Sequence, residues 1–208
     1  MKIRKSRPED LERMLRLYAD ARVFMAEHGN PTQWANGYPE PEMLQEDIRA
    51  GVSYVCEDDQ GRVVGTFVFF VGEDESYKVI EQGDWKDHRV PYGVVHRITS
   101  QRGEGAPRGV GSFCLQWCFE QCGNVRIDTH RDNLPMQGAI AKAGFKRAGI
   151  VYVSNPMSVQ KAESFNNSRT SCLSIFNCLS IVSARSSFVR ILLKVNLIGV
   201  WLPVESFR

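Results

Sequence analysis

The sequence lacks any charge excess that would draw a partner from a distance. Its 26 Lys and Arg residues nearly balance 24 Asp and Glu, a formal charge of +2. That balance gives no electrostatic reason to expect a nucleic acid or a membrane surface as partner. The opening MKIRKSRPED has no apolar h-region and is too charged for a secretory signal, so a cytoplasmic setting is expected. The apolar run FVRILLKVNLIGVWLP is interrupted by Arg190 and Lys194, which makes it a poor membrane span. Cysteine pairs on turns, the usual form of a metal site, are missing. Instead Cys114, Cys118 and Cys122 recur every four residues on one stripe of a predicted helix, where they cannot easily pair with each other. They read as reduced thiols serving as small apolar core residues, and no metal is expected. No internal repeat is visible.

What is present is an ordinary globular composition over 208 residues, 43% apolar and 24% charged, enough for one domain with a sizeable core. MKIRKS reads as a first strand. Ser6 with Glu9 forms a capping box around Pro8, and Leu11, Met14, Leu15, Tyr18 and Met25 keep helical spacing to Gly29. A turn-rich loop with Trp34 and Tyr38 precedes a short helix over about 42–50. VSYVCE, RVVGTFVFFVG and YGVVHRITS are strands, with a polar insertion at 73–91 before the third. A helix apolar on more than one face begins near Val110, NVRIDTH is a buried strand, and Asn133 and Pro135 open a further helix that Gly144 closes. FKRAGIVYV and a short MSVQK follow as strands. The order predicts a mixed sheet with helices on both faces. Composition changes near residue 162: from Glu163 aspartate disappears and serine abounds, so 1–162 is expected to form the domain and 163–208 an atypical tail, disordered or of foreign reading frame.

The stretch QRGEGAPRGVGSFCLQW carries glycines into the start of a helix. Such a junction is an anion site, because the first helical amides lack intrahelical partners and the dipole is positive there. Arg102 and Arg108 add charge suited to a pyrophosphate. It is not a P-loop, since no Gly-Lys-Ser/Thr follows, and it does not fit GxGxxG.

RGVGSFCLQWCFEQCG followed by VRIDTHRDNLPMQGAIAKAGFKRAGIVYV resembles the GNAT superfamily of N-acetyltransferases, with Asn133, Gly144, Phe145 and Gly149 at the family's separation. The resemblance spans about residues 1–162. It implies an α/β (α+β) fold with a mixed, mostly antiparallel sheet of six to seven strands, and acetyl-CoA as cosubstrate for direct transfer to an amine acceptor. By that carry-over the loop residues Arg108, Gly109, Val110, Gly111 and Ser112 bind the pyrophosphate. Arg97, Ile98 and Thr99 lie where backbone groups pair with the pantetheine arm, and Asn133 faces the cofactor or simply caps its helix. Ala106 departs from the family's Arg/Gln. Ile140 stands where many members place a tyrosine that protonates the thiolate, and Tyr152 is one substitute. For the base, His96 leads, two residues before Ile98 and therefore expected on the same face; its alternative is a histidine bonded within the sheet. Glu81 and His130 follow. Trp34 and Tyr38 line the acceptor side or anchor their loop. The acceptor is not legible, a homodimer is left open, and the competing reading is a non-catalytic acyl-CoA-binding or regulatory module.

Overall fold

The computed structural model describes residues 1–155 and 158–168; most of the serine-rich tail, with Cys172 and Cys178, lies outside the described residues. Eleven main elements follow the expected order: β1 (Lys2–Lys5), α1 (Leu11–Glu27), α2 (Pro41–Arg49), β2 (Ser53–Glu57), β3 (Val63–Gly72), β4 (Tyr92–Ser100), α3 (Val110–Cys122), β5 (Asn124–His130), α4 (Leu134–Lys142), β6 (Lys146–Asn155) and β7 (Ser158–Ser168). They form one seven-stranded sheet in the order β1-β2-β3-β4-β5-β7-β6. Every pairing is antiparallel except β4 with β5. Among the described residues no helix is long and apolar enough to cross a membrane.

Alternation along the strands sorts the helices to two faces. Val55 joins Met14, Tyr18 and Leu44 under α1 and α2, whereas its neighbour Cys56 joins Cys114, Leu115 and Cys118 of α3 on the other side. The α1 stripe of Met14, Leu17, Tyr18, Ala21 and Met25 is buried at helical spacing. Each large member of it contributes about 1.5–3 kcal/mol. Burial in the α3 core holds the Cys118 thiol well above its ordinary pKa, as suits an inert packing residue. The start of α3 is seated by Gly65, whose absent Cβ would lie 2.8 Å from Val110 Cγ1.

Two local expectations change. Ser6 does not cap the first helix; its hydroxyl pairs with that of Ser53 at 2.8 Å across β1 and β2. Asp10 instead accepts from the Arg7 amide and takes a two-pronged bond from Arg4, at 2.6 and 2.9 Å. The sheet also crosses the boundary that composition suggests at 162. β7 continues to Ser168, bonded to β5 and β6 on either side, with Phe165 in the α3 core and Asn166 giving its amide to Asn124 and to the Val125 carbonyl.

The insertion between β3 and β4 packs over the sheet on the α1 side. Tyr77 and Trp85 from it cluster with Tyr92 and Val94 of β4 and Val151 of β6. The Arg126 guanidinium of β5 lies over the Tyr92 and Trp85 rings, 3.7 and 4.4 Å from their centroids. Glu81 and Ile150 exchange backbone bonds of 2.8 Å. Gly83 and Gly149 permit this approach, since a Cβ on Gly83 would fall 1.9 Å from the Ala148 carbonyl oxygen. The insertion is therefore fixed to the β6 edge.

Candidate active site

β4 and β5 pair over three residues only, from Gly93 opposite Val125 to Val95 opposite Ile127. Beyond that point the two strands run on without pairing, and a cleft of about 240 Å³ opens between them. Its walls include Val95 to Thr99 of β4, Ile127 to His130 of β5, Asn133 and Met136 of α4, Gln33, Trp34 and Tyr38 of the α1–α2 loop, and Asp74 and Ser76 of the insertion.

A bulge shapes the β4 wall. Thr66 and Val68 of β3 stand opposite Thr99 and His96, so β4 carries one extra residue, and Arg97 takes φ +49°. The Tyr18 hydroxyl donates to the Arg97 carbonyl at 3.0 Å. This overturns the expected parity: Ile98 packs against the α3 core with Val95, while His96 lies on the opposite face near Phe70 and Tyr77. The inserted residue is the reason, since it shifts alternation by one. His96 and Ile98 border the same cleft from its two sides.

His96 is held among carboxylates. Its Nε2 lies 2.8 Å from Asp74 Oδ2, and its Nδ1 lies 3.8 Å from Asp128 Oδ1, which accepts the Tyr77 hydroxyl at 2.6 Å. Asp74 also accepts from the Ser76 amide. Burial pushes the Asp74 carboxyl up, but the His96 bond and charge and the Ser76 amide outweigh it, and its pKa ends below the usual value. Burial dominates at Asp128, whose pKa is raised despite the nearby imidazole. A carboxylate with a raised folded pKa costs stability above that pKa and returns it as pH falls through it. Asp128→Asn is therefore expected to raise the melting temperature at pH 8, with the gain shrinking towards pH 4. Melting curves across that range test this, and a loss of stability at pH 8 contradicts it.

The other expected residues divide. Asn133 caps α4, accepting from the Met136 amide at 3.2 Å, and donates to Gln33 Oε1 at 2.8 Å, so its polar atoms serve the protein while it borders the cleft. The Arg97 guanidinium bonds Asp47 at 2.6 Å and reaches the Tyr38 hydroxyl at 3.3 Å. Trp34 sets its ring edge-on to Tyr18 at 5.5 Å and, like Tyr38, borders the cleft. His130 borders it too and accepts the Asp132 amide at Nδ1. Ile140 is fully buried in the α3 core.

Glu81 and Tyr152 do not reach the cleft. Tyr152 is 41% exposed, and its hydroxyl donates to Glu81 Oε2 at 3.1 Å. β7 enters between β5 and β6 and displaces Tyr152 to the sheet edge. Tyr152→Phe and Glu81→Gln should leave kcat/KM of any reaction at the cleft within about twofold; a tenfold loss in either, measured at saturating and limiting substrate, contradicts this placement.

The glycine loop stands apart from the enclosed part of the cleft, which reaches Arg102 but none of Arg108 to Ser112. Gly109 caps α3 at φ +78°, and the first intrahelical bond runs from the Phe113 amide to the Gly109 carbonyl, 2.9 Å. The amides of Val110, Gly111 and Ser112 precede that bond and so form the open end of the helix. Around Gly109 and Gly111 an added Cβ would meet nothing within 4 Å. Space for a ligand exists there.

Asp74 and Asp128 escape a reading of the sequence because strand and insertion meet only in the fold. A signal exists for Asp128 alone: a carboxylate within NVRIDTH, a strand read as buried, asks for a partner.

No family model and no curated protein matches the sequence. Solved structures do. A GNAT-family acetyltransferase from Streptococcus agalactiae is 26% identical with a TM-score of 0.72, matched over 82% of this chain and 96% of that one. A GNAT-family acetyltransferase from Listeria monocytogenes is 17% identical with a TM-score of 0.56, over 80% and 93%. The aminoglycoside acetyltransferase AAC(6')-Ib, solved with coenzyme A and kanamycin, is 18% identical with a TM-score of 0.55, over 81% and 94%. The splayed parallel pair, the bulged fourth strand and the glycine-capped third helix thus belong to a chain with the fold of the GNAT N-acetyltransferases.

Proposed function

We propose that the chain is an acetyl-CoA-dependent N-acetyltransferase that moves an acetyl group directly to a primary amine. One observation carries the reading: an imidazole whose Nε2 is engaged by Asp74 borders the gap where β4 leaves β5. The residues present fit an acyl-CoA. The hydroxyls of Thr99 and Thr129, one on each wall, are buried without a hydrogen-bond partner and suit the amides of an extended arm. The open amides at Val110 to Ser112, with Arg102 and Arg108 near them in sequence, suit its pyrophosphate.

Bound acetyl-CoA supplies the activated acyl group. Asp74 holds the proton on His96 Nε2, which leaves the Nδ1 lone pair for the ammonium proton of the acceptor. The freed amine forms the new C–N bond as the C–S bond breaks; sulfur leaves as thiolate, and the second amine proton is lost to water and balances protonation of that thiolate, because Ile140 offers no acid. The Ile98 amide, beside the bulge at Arg97, donates in this reading to the acyl oxygen as charge develops there. Trp34 and Tyr38 close the acceptor side. The buried Ile140 favours a second reading, a module that binds acyl-CoA without turnover. Thiol release from acetyl-CoA with a panel of primary amines decides between them: amine-dependent release lost in His96→Ala supports the enzyme, and tight binding with no release on any amine supports the module.

A further inference from the structure

Arg97 sits at φ +49°, in backbone territory that favours glycine. A bulky residue keeps such a conformation only where its surroundings impose it. Three contacts converge on Arg97 from the α1–α2 half of the molecule. Its carbonyl accepts the Tyr18 hydroxyl of α1 at 3.0 Å. Its guanidinium donates to Asp47 of α2 at 2.6 Å and to the Tyr38 hydroxyl of the intervening loop at 3.3 Å.

The Tyr18 contact bears on the next residue. The Arg97 carbonyl and the Ile98 amide belong to one trans peptide plane, in which C=O and N–H point opposite ways. Fixing the oxygen on Tyr18 therefore fixes the direction of the Ile98 N–H. Neither neighbouring strand offers Ile98 a paired residue. Thr66 and Val68 of β3 stand opposite Thr99 and His96, and the pairing of β4 with β5 stops at Val95. With no ladder to set it, the plane depends on Tyr18.

The tyrosine suits that task. It is fully buried, which raises its pKa well above the ordinary value and keeps it a donor over any working pH. Its ring is braced edge-on by Trp34 at 5.5 Å. The two aromatic residues on the acceptor side thus each touch one part of the clamp, Trp34 at Tyr18 and Tyr38 at Arg97.

We infer, resting on the acyl-CoA site of the proposed transferase, that Tyr18 is a positioning residue for acyl transfer. Acting through the Arg97 carbonyl, its hydroxyl holds the Ile98 amide in the orientation from which it polarises the acyl oxygen. Tyr18 itself is not among the residues that line the cleft.

Tyr18→Phe removes one oxygen and keeps the ring. Isotope-edited infrared spectra of acetyl-CoA carrying 13C at the acetyl carbonyl, bound to the full chain, report the acyl oxygen directly. In the wild type the carbonyl stretch is expected below its free-solution frequency, and in Tyr18→Phe most of that shift is lost. The Kd for acetyl-CoA stays within about twofold, while kcat with a competent amine falls about 10–10²-fold. A tyrosine that only packs would lower the melting temperature and leave the carbonyl frequency and the kcat of folded protein unchanged. An unshifted carbonyl in the wild type overturns the inference, whether or not the variant folds. A shift and a kcat that survive Tyr18→Phe overturn it too. A shift lost in Tyr18→Phe, with no thiol release on any amine, overturns the transferase reading alone. No binding of acetyl-CoA by the wild type overturns both.

Discussion

His96→Ala should lower kcat with acetyl-CoA and a competent amine by about 10²–10⁴-fold, the range expected when a positioned acid–base group is lost, while the Kd for acetyl-CoA stays within about twofold. The split follows from placement. The imidazole lies on the α1 face of β4, with Asp74 and Tyr77, whereas Ile98 and the start of α3 belong to the other face. Removing it takes away the proton acceptor and leaves the walls that would hold the cofactor. A structural histidine would behave differently, lowering melting temperature and both substrate affinities together. Exogenous imidazole separates the two: recovery of part of the rate in His96→Ala supports a base, and no recovery with a lowered melting temperature contradicts it. Asp74→Asn should give an intermediate loss confined to kcat, because the depressed carboxyl pKa shows it ionised against the imidazole over the working range.

The second large effect is expected at Gly109. Its φ of +78° costs an L-residue about 1–2 kcal/mol, and a β-branched one more. Space is not the constraint, since no atom would crowd a Cβ there. In Gly109→Val the backbone is expected to leave the left-handed region and turn the Val110 to Ser112 amides away from a common point. Acetyl-CoA affinity should then fall roughly tenfold, the equivalent of about 1.4 kcal/mol. Gly109→Asn, which tolerates this conformation, should retain most of it. Equal affinity in the Val and Asn variants, measured by calorimetry, contradicts a role for these amides in holding phosphate.

The order of elements was readable because each signal is local. Met14, Tyr18 and Met25 of the stripe read from spacing are buried on α1, and Asn133 with Pro135 marks the start of α4. Of the candidate residues, His96 announces itself and borders the cleft, and the glycines at 109 and 111 announce the open start of α3. Three features depend on distant partners and left little trace. The extra residue at Arg97 looks like any strand residue until β3 is laid beside it, and it reverses the face of Ile98 relative to His96. β7 reads only as the short MSVQK, because Glu163 to Asn167 passes for polar tail, yet the strand runs to Ser168, separates β6 from β5 and carries Tyr152 out to the edge. Asp74 and Asp128 lie 54 positions apart and meet only around one imidazole.

The most direct test is a crystal structure of the chain with acetyl-CoA. The account predicts the pyrophosphate within hydrogen-bond distance of the Val110 to Ser112 amides, the pantetheine arm between β4 and β5 against Thr99 and Thr129, and the thioester facing His96. A cofactor bound elsewhere, or a thioester turned away from His96, would contradict it.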